Sequence, residues 1–295
     1  MNQQERVRVF IGSGEASLLE RKTLIHSLRK HTKRELDIYV INGTHNAIEL
    51  NDEPPFLAPM SLRLKYRNAT EFSLYRFLIP EICNYQGKAI YLDSDMVCLS
   101  DIGELFDTPM NSCSFLAKKG AYKAYRGTDF WGLSVMVIDC EKTDFDLESI
   151  FNDIEHGLYD QKDLMAMSRA FISHHPYVIG ELDPQWNVFD YWDKNTKLIH
   201  YTSLYNQPWK YRNHRYGELW FNYFNEAVTS GYITKRDIDL SLHRSYARHD
   251  LLKGNFSFLG RERNYVQQVI QPLKQATIGV VKKVIKRPNL MTKPV

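Results

Sequence analysis

The hydrophobic residues near the start of the chain alternate between the spacing of a strand and the spacing of a helix. Residues 7–11 form a short β-branched and aromatic run that stops at Gly12. Apolar residues over 18–28 then recur at intervals of three, four and seven, which is typical of an amphipathic helix. Residues 36–41 return to strand character. A strand, a helix and a second strand predict a parallel βαβ unit.

These patterns continue along the chain without an internal repeat or a low-complexity linker. We therefore expect one α/β domain in which a mostly parallel central sheet is flanked by helices. Further elements are predicted as a helix over 71–83, strands over 89–92 and 134–138, and helices around 147–155 and 160–171.

Composition narrows the class of protein. With 43% hydrophobic and 13% aromatic residues, the 295-residue chain is not a disordered protein. Its apolar runs are far shorter than the roughly 20 residues of a membrane-spanning helix. Residues 1–6 are polar and no apolar stretch follows them, which predicts that no signal peptide is present. Four separated cysteines without a C-x-x-C pair predict buried thiols in a reducing compartment, the cytoplasm.

Charge is distributed unevenly along the chain. The net charge is +3, but the residues from Lys253 onward carry nine Lys/Arg and one acid, a net charge of +8. Residues 1–252 carry −5. We therefore expect a domain over residues 1–250 and a basic C-terminal extension over 251–295.

The extension has the pattern of a basic amphipathic helix over 272–287, since apolar residues recur between lysines and arginines. Such a helix can lie on an anionic membrane surface, which predicts a peripheral position at the inner face of a membrane. A solvated helix or a frayed terminus explains the same pattern. Nucleic-acid binding is not favoured, because the body is acidic and the tail lacks interleaved aromatic residues.

The segment with the most chemical information is Asp93-Ser94-Asp95, directly after an apolar strand. Two acids at i and i+2 of an extended backbone project to the same side, and ligands bind beyond the carboxyl ends of strands in α/β sheets. Two convergent carboxylates repel each other unless a cation lies between them, and hard oxygen ligands suit Mg²⁺ or Mn²⁺. Alternatively, the acids only end the strand and begin a turn.

Two enzyme classes place such a pair after a strand. In nucleotide-sugar glycosyltransferases the acids hold the metal ion that carries the donor diphosphate. In haloacid-dehalogenase-like phosphatases the motif D-x-D-x-[TV], matched by residues 93–97, supplies Asp93 as a nucleophile. That motif usually opens its domain, and no later acidic pair is found here. A dinucleotide-binding loop at Gly12-Ser13-Gly14 is weakly supported, because Ser17 replaces the third glycine.

Over most of residues 7 to 222 the chain resembles the family 8 retaining glycosyltransferases, which include glycogenin and bacterial lipopolysaccharide galactosyl- and glucosyltransferases. The resemblance implies a GT-A-type nucleotide-sugar-binding domain. It rests on segments that occur in the family's order: 72–81 for Y-x-R-L-x-x-P-E, 90–97 for Y-L-D-x-D-x-x-V, 101–105 for D-I-x-E-L, 160–164 for D-Q-D-x-L, 186–187 for W-N, and 200–209 for H-F-x-G-x-x-K-P-W.

The resemblance implies that Asp93, Asp95 and His200 are metal ligands for Mn²⁺ or Mg²⁺. His200 ends an alternating run over 197–200, so its ring can lie at another strand end. Two carboxylates, one imidazole and diphosphate oxygens form a suitable Mn²⁺ shell. A single histidine near a strand end is more commonly structural, and the ordered motifs favour the ligand.

The resemblance also implies contacts with the donor. Arg76 would pair with the diphosphate or the sugar through its guanidinium fork, or else form an ion pair on a helix surface. Gly12 and Ser13 would contact the nucleotide through backbone groups. Ser94 and Lys210 complete the predicted donor-binding residues.

The resemblance further implies that Asp160 and Gln161 are catalytic residues beside the anomeric carbon of the donor sugar. Gln161 would stabilise positive charge, because an amide is a poor nucleophile. The other interpretation is the first turn of a helix, where Asp is favoured in any protein.

Three departures from the family pattern affect the donor site. Glu15 is the candidate substitute for an acid that helps to hold uracil. Residues 132–135 are Gly-Leu-Ser-Val where the family has N-S-G-V, so an Asn that contacts the sugar is missing. Gln207 replaces the Lys before Pro-Trp, and Lys210 could supply the lost charge.

The sequence therefore predicts a metal-dependent retaining glycosyltransferase. The enzyme would move a hexose from a nucleotide sugar, UDP-glucose or UDP-galactose, to a hydroxyl acceptor such as a saccharide or lipid-linked saccharide of the cell envelope. The alternatives are a Mg²⁺-dependent phosphatase and a nucleotide-sugar-binding module without turnover.

Overall fold

The computed structural model describes residues 5–59, 70–120 and 130–252. The chain divides into two compact units, Met1–Ala247 and Arg248–Val295. The description below concerns the first unit. The predicted helix over 272–287 lies outside the described residues. The predicted division of the chain at residue 250 stays a prediction.

Eleven strands and eight α-helices form the described part of the first unit. The strands are β1 Val7–Ser13, β2 Leu36–Asn42, β3 Ala47–Leu50, β4 Phe56–Leu57, β5 Lys88–Asp93, β6 Met96–Cys98, β7 Phe115–Lys119, β8 Trp131–Asp139, β9 Ile179–Glu181, β10 Val188–Phe189 and β11 Leu198–His200. The helices are α1 Leu18–His31, α2 Ile79–Ile82, α3 Ile102–Phe106, α4 Leu147–Glu155, α5 Gln161–Ala166, α6 Arg169–His174, α7 Gly217–Thr229 and α8 Lys235–His243.

The main sheet has the strand order β4-β3-β2-β1-β5-β8-β7-β9. The predicted βαβ unit is confirmed, because β1 pairs in parallel with β2 across α1. β1 also pairs in parallel with β5. The prediction of a mostly parallel sheet is wrong: β3, β4 and β8 join antiparallel, so the sheet is mixed. The link from β2 to β3 is a short turn, and only antiparallel strands can be joined that way.

A second, small sheet has the order β10-β11-β6. β11 runs antiparallel to β6, so that His200 lies opposite Met96. Because β6 begins immediately after the acidic motif, this pairing brings the end of β11 to the end of β5. The predicted position of His200 at a strand end is confirmed.

Both faces of the main sheet are covered. Phe10 and Tyr91 point into one hydrophobic cluster together with Leu164 of α5. Ile11 and Leu92 point into the other, together with residues of α1. Burial on both faces explains why these strands are nearly continuous apolar runs. The central strands are therefore rigid supports for side chains at their carboxyl ends.

Two predicted helices differ from the observed elements. Residues 71–83 form turns, a 3₁₀ segment over Tyr75–Leu78 and the short α2, rather than one helix. Pro80 lacks an N–H, so a helix that began earlier would lose a hydrogen bond there. The predicted helix over 160–171 is split into α5 and α6 at Met167, whose φ of 48° is left-handed. The helix predicted over 147–155 is confirmed as α4.

The cysteines follow the prediction for buried thiols with one difference. All four are free, and Cys83, Cys98 and Cys140 are buried while Cys113 is partly exposed. Among the described residues, no helix is long and apolar enough to cross a membrane.

Candidate metal and donor site

Asp93, Asp95 and His200 converge at the carboxyl end of β5. One ligand atom from each lies within 4.8 Å of the others. His200 Nε2 is 3.0 Å from Asp95 Oδ1, and the backbone N–H of Tyr201 donates to the carbonyl oxygen of Asp95 at 2.9 Å. The structure thus brings together the three side chains that the sequence pattern selects as metal ligands.

Asp93 is held by two neighbours. The Tyr91 hydroxyl donates to Asp93 Oδ1 at 2.7 Å, and Arg76 Nη2 donates to the same oxygen at 3.3 Å. Burial raises the pKa of Asp93 above its ordinary value, against the opposing effect of Arg76 and His200. The carboxylate is therefore fixed in position. Burial also removes water from it, and a bound cation could stabilise its charge in place of that water.

Arg76 is itself buried, with 4% of its side chain exposed. Its Nε donates to the carbonyl oxygen of Ser73 at 2.7 Å, and its Nη1 donates to the carbonyl oxygen of Leu133. The guanidinium carbon lies 4.4 Å from the centre of the Tyr91 ring. These contacts place Arg76 behind Asp93 as its support, and they are not the helix-surface ion pair considered as an alternative.

His200 is oriented by a chain of buried polar groups. Its Nδ1 lies 3.1 Å from Asn187 Oδ1, and Asn187 Nδ2 donates to Ser134 Oγ at 2.9 Å. The backbone carbonyl oxygen of Asn187 accepts a hydrogen bond from Lys118 Nζ at 2.5 Å. Because Ser134 fixes the amide, the Asn187 oxygen faces the ring and favours a proton on Nδ1, so Nε2 faces the two acids.

The charge on His200 is governed by its surroundings. Burial lowers its pKa, but the carboxylates of Asp95 and Asp93 oppose burial and hold the pKa above its ordinary value. The same negative charges that favour a proton at Nε2 favour a metal cation at that place.

Gln207 lies at the second oxygen of Asp95. Its Nε2 donates to Asp95 Oδ2 at 3.3 Å and to the carbonyl oxygen of Tyr201 at 3.1 Å. The side chain is 3% exposed, and its Oε1 has no hydrogen-bond partner among the described residues. The residue that replaces the family's Lys is thus part of the acidic site, with one buried acceptor still unsatisfied.

Gly12, Ser13 and Ser94 are buried beside these groups. Gly12 pairs in register with Asp93 across β1 and β5. A Cβ at Gly12 would lie 2.2 Å from the Tyr91 hydroxyl, so the glycine is required by the approach of that side chain. The predicted contacts of these three residues with the donor stay predictions.

Asp160 and Gln161 lie at the start of α5. Asp160 is the N-cap, and its carboxylate accepts from the backbone N–H of Lys162 at 2.7 Å and of Asp163 at 3.0 Å. α5 packs against β8, the neighbour of β5. Asp160 is not in the group of converging metal-ligand atoms. A capping function is therefore observed for Asp160, and a catalytic function of either residue stays a prediction.

Lys210 and Glu15 are more peripheral. Lys210 is exposed, and its backbone N–H donates to the Gln207 carbonyl oxygen at 2.9 Å. The carboxylate of Glu15 lies 3.9 Å from both His45 Nε2 and Arg244 Nη2. Neither side chain is placed against the two acids.

The sequence interpretation missed Glu20, a buried acid on α1. Its side chain is 4% exposed. Burial raises the pKa of Glu20 to about 8, opposed by Lys210 and reinforced by Asp95. Spacings of four and eight to Leu24 and Leu28 place Glu20 on the apolar face of the helix, which is the signal that could have identified it.

The α/β fold with a mixed central sheet is similar to that of solved glycosyltransferases with the GT-A fold. The galactosyltransferase LgtC in complex with donor and acceptor sugar analogues superimposes with a TM-score of 0.53 at 13% identity, over 75% of this chain and 96% of LgtC. Glycosyltransferase GlyE of Streptococcus pneumoniae TIGR4 superimposes with a TM-score of 0.52 at 18% identity, over 77% of this chain and 64% of GlyE.

The sequence profile of glycosyl transferase family 8 matches residues 9–132. Residues 9–132 therefore match glycosyl transferase family 8, and the predicted resemblance is confirmed over that part of the chain. Protein CDI of Arabidopsis thaliana is 22% identical over 244 residues, which cover 76% of this chain and 88% of CDI. Glycosyltransferase GlyB of Streptococcus pneumoniae serotype 4 is 25% identical over 205 residues, 59% of this chain and 47% of GlyB. The chain thus spans about half the length of GlyB.

Proposed function

We propose that this glycosyltransferase moves a hexose, with retention at the anomeric carbon, from a UDP-sugar to a hydroxyl acceptor, using a divalent cation held by Asp93, Asp95 and His200. UDP-glucose and UDP-galactose are the proposed donors. The acceptor is a saccharide or lipid-linked saccharide of the cell envelope. The observation that carries the proposal is the convergence of the three ligand atoms within 4.8 Å.

The donor set fits Mn²⁺, or Mg²⁺ as the second choice. Two carboxylates in a partly buried position repel each other, and a cation between them removes that cost. One imidazole nitrogen beside two carboxylate oxygens favours Mn²⁺ over a purely oxygen-loving ion. Remaining positions on the ion would be open to diphosphate oxygens and water.

Supporting residues would hold the ligands ready. Arg76 and Tyr91 fix Asp93, and Asn187 fixes the ring of His200. Groups behind metal ligands orient them and contribute to affinity. This arrangement supports a site that keeps its shape before the ion and the donor arrive.

Contacts with the donor would come from the predicted residues around the acids. We propose that Gly12, Ser13 and Ser94 line the nucleotide and diphosphate, and that Lys210 supplies the cation that Gln207 does not. When bound, the metal ion would act as a Lewis acid that neutralises the leaving diphosphate. Arg76 would add positive charge through its position behind Asp93.

Asp160 and Gln161 are proposed to line the sugar pocket from the start of α5. The amide oxygen of Gln161 would stabilise positive charge near the anomeric carbon rather than attack it. Asp160 would fix the start of the helix through its N-cap bonds and so position Gln161. Both roles are proposals that rest on the family pattern.

The proposal is tested with Asp95→Ala in the full chain. Wild-type protein should hydrolyse a UDP-hexose and be stabilised by UDP in thermal melts only when Mn²⁺ is present. The variant should lose both effects. Asp239→Ala, which removes an exposed acid of α8, is the matched control and should behave as wild type. Wild-type turnover by Asp95→Ala in Mn²⁺ would show that the assignment of Asp95 is wrong.

The same assays separate the alternatives. Hydrolysis of p-nitrophenyl phosphate with Mg²⁺ would favour the phosphatase, which the family 8 match over residues 9–132 does not support. Mn²⁺-dependent UDP binding without hydrolysis or transfer would identify a binding module. Mass spectrometry of the products from a UDP-hexose and cell-envelope extract would then identify the acceptor.

A further inference from the structure

Two segments attached to the metal-ligand group, residues 191–192 and 204–215, carry exposed aromatic and basic side chains. We call them the aromatic-basic surface, and its apolar part includes Leu204, which is 64% exposed, and Tyr205, which is 86% exposed. Of the large exposed hydrophobic residues in the described chain, nearly half belong to it. Its members are Tyr191, Trp192, Leu204, Tyr205, Lys210, Tyr211, Arg212 and Arg215.

The loop that carries Leu204 and Tyr205 is hydrogen-bonded to Asp95 at both of its ends, Tyr201 and Gln207. The backbone N–H of Tyr201 donates to the Asp95 carbonyl oxygen at 2.9 Å, and Gln207 Nε2 donates to Asp95 Oδ2 at 3.3 Å. Tyr205 is two residues from Gln207, so their Cα atoms are at most about 7 Å apart. The exposed tip therefore projects from the edge of the acidic site.

The tip is a fixed turn. Asp190 accepts from Thr202 Oγ1 at 2.5 Å and from the backbone N–H of Ser203 at 3.3 Å, and Asn206 N–H donates to the Ser203 carbonyl oxygen at 2.8 Å. Central turn positions usually carry Gly, Asn, Asp or Ser. Here the two central positions are Leu204 and Tyr205. The geometry of the turn does not require large, exposed side chains at these positions.

The two segments of the surface are joined through Asp190 and Tyr216. His214 Nε2 lies 3.4 Å from Asp190 Oδ1, which fixes the basic segment against the same carboxylate as the tip. The rings of Tyr191 and Tyr216 lie 5.6 Å apart. Arg215 Cζ lies 5.4 Å from the Tyr216 ring. The two segments are therefore linked, through the buried His214 and the half-buried Asp190 and Tyr216.

Its charge is opposite to that of the rest of the domain. Residues 201–216 contain three Lys/Arg and no Asp or Glu, whereas residues 1–252 carry −5. The nearby Asp190 turns its oxygens to Thr202, Ser203 and His214. Asp193 accepts from the backbone N–H of Asn195 at 2.8 Å. The outward charge of the surface is thus basic.

We propose that the aromatic-basic surface binds the headgroup region of an anionic lipid bilayer. Tyr and Trp have an apolar body and a polar end, which suits the boundary between headgroups and acyl chains. Leu204 would enter that boundary, and Arg212 and Arg215 would face anionic headgroups. The contact would hold the donor site at the bilayer surface. It requires neither the metal ion nor the proposed transferase activity.

The test uses the full chain with an environment-sensitive fluorophore at one introduced cysteine. Tyr205→Cys carries the label in one protein, and Leu57→Cys carries it in the control, since Leu57 is 75% exposed on β4, outside the surface. Cys113→Ser removes the partly exposed native thiol in both. Vesicles of phosphatidylcholine, with or without phosphatidylglycerol, are added in EDTA.

We expect the label at position 205 to shift to the blue with anionic vesicles, to reverse in high salt, and to stay unchanged with neutral vesicles. The label at position 57 should not shift. Because the label reports its own surroundings, attachment through the basic tail alone would leave it unchanged. No shift at position 205, or equal shifts at both positions, would overturn the proposal.

A second measurement removes the apolar tip. Leu204→Ser with Tyr205→Ser should lower the partition of the full chain onto anionic vesicles about tenfold, since two apolar side chains lose their burial. Leu57→Ser should leave the partition unchanged. Unchanged partition of the double variant, with a raised KM for a phenyl glycoside acceptor, would make the tip a saccharide-binding element and refute the membrane contact.

Discussion

The buried carboxyl of Glu20 predicts a strong pH dependence of stability in the metal-free protein. Burial raises its pKa from 4.5 to about 8 in the folded chain. In the unfolded chain the carboxyl is solvated and returns to its ordinary value. Between pH 4.5 and 8 the folded state therefore holds a proton at Glu20 that the unfolded state releases.

The sign and size of the effect follow from proton linkage. Because the folded state binds more protons, the free energy of unfolding falls as pH rises. The slope is about 1.4 kcal/mol per pH unit. The contribution of Glu20 is complete below pH 4.5 and lost by about pH 8, a total of about 5 kcal/mol. From pH 6 to pH 8 the loss is about 2 kcal/mol, because the slope falls as the folded carboxyl itself begins to ionise.

Glu20→Gln keeps the shape of the side chain and removes the titration. We expect urea unfolding in EDTA to show that the variant gains about 2 kcal/mol relative to wild type between pH 6 and pH 8. All other side chains are the same in both proteins, so the difference between their profiles isolates Glu20. Glu148→Gln, an exposed acid in the first turn of α4, is the control. Parallel stability profiles of Glu20→Gln and wild type would refute the reasoning.

Two further predictions concern the site. Asn187→Leu should weaken Mn²⁺ binding about 10- to 100-fold, because His200 loses the group that orients its ring. Electron paramagnetic resonance of free Mn²⁺ measures the affinity, and substitution of the exposed Asn195 by Leu is the control. An unchanged affinity of Asn187→Leu for Mn²⁺ would contradict this prediction. Asp160→Ala should lower the free energy of unfolding by about 1 kcal/mol through loss of the N-cap, and Asp160→Asn should lower it much less. Equal losses in urea unfolding would contradict the capping function.

The metal-ligand group could be predicted from the sequence because each member stands at a recognisable strand end. Asp93 and Asp95 follow a run that is buried on both faces, and His200 closes an alternating run. The strand of His200 belongs to the second sheet, and its pairing with β6 brings it to the end of β5. The order of the family motifs then indicated that Asp93 and Asp95 act together with His200, about 100 residues further along the chain.

Other features depend on pairing that no local pattern records. The direction of β8 beside β5 is set by the route of the chain, so the mixed sheet was not predicted. The support of Asp93 by Arg76 and the close approach of Tyr91 to Gly12 are both tertiary contacts. The break at Met167 has no glycine or proline to mark it. The spacing of hydrophobic residues therefore predicts helices and strands better than it predicts which of them pack together.

The central claim is that Asp93, Asp95 and His200 hold the cation that carries the donor diphosphate. Anomalous diffraction at the manganese absorption edge, from crystals grown with MnCl₂ and UDP, tests it most directly. We predict an anomalous peak bonded to carboxylate oxygens of Asp93 and Asp95, to Nε2 of His200 and to the diphosphate. Bound UDP with no peak at these three side chains, or with the peak elsewhere, would contradict the account.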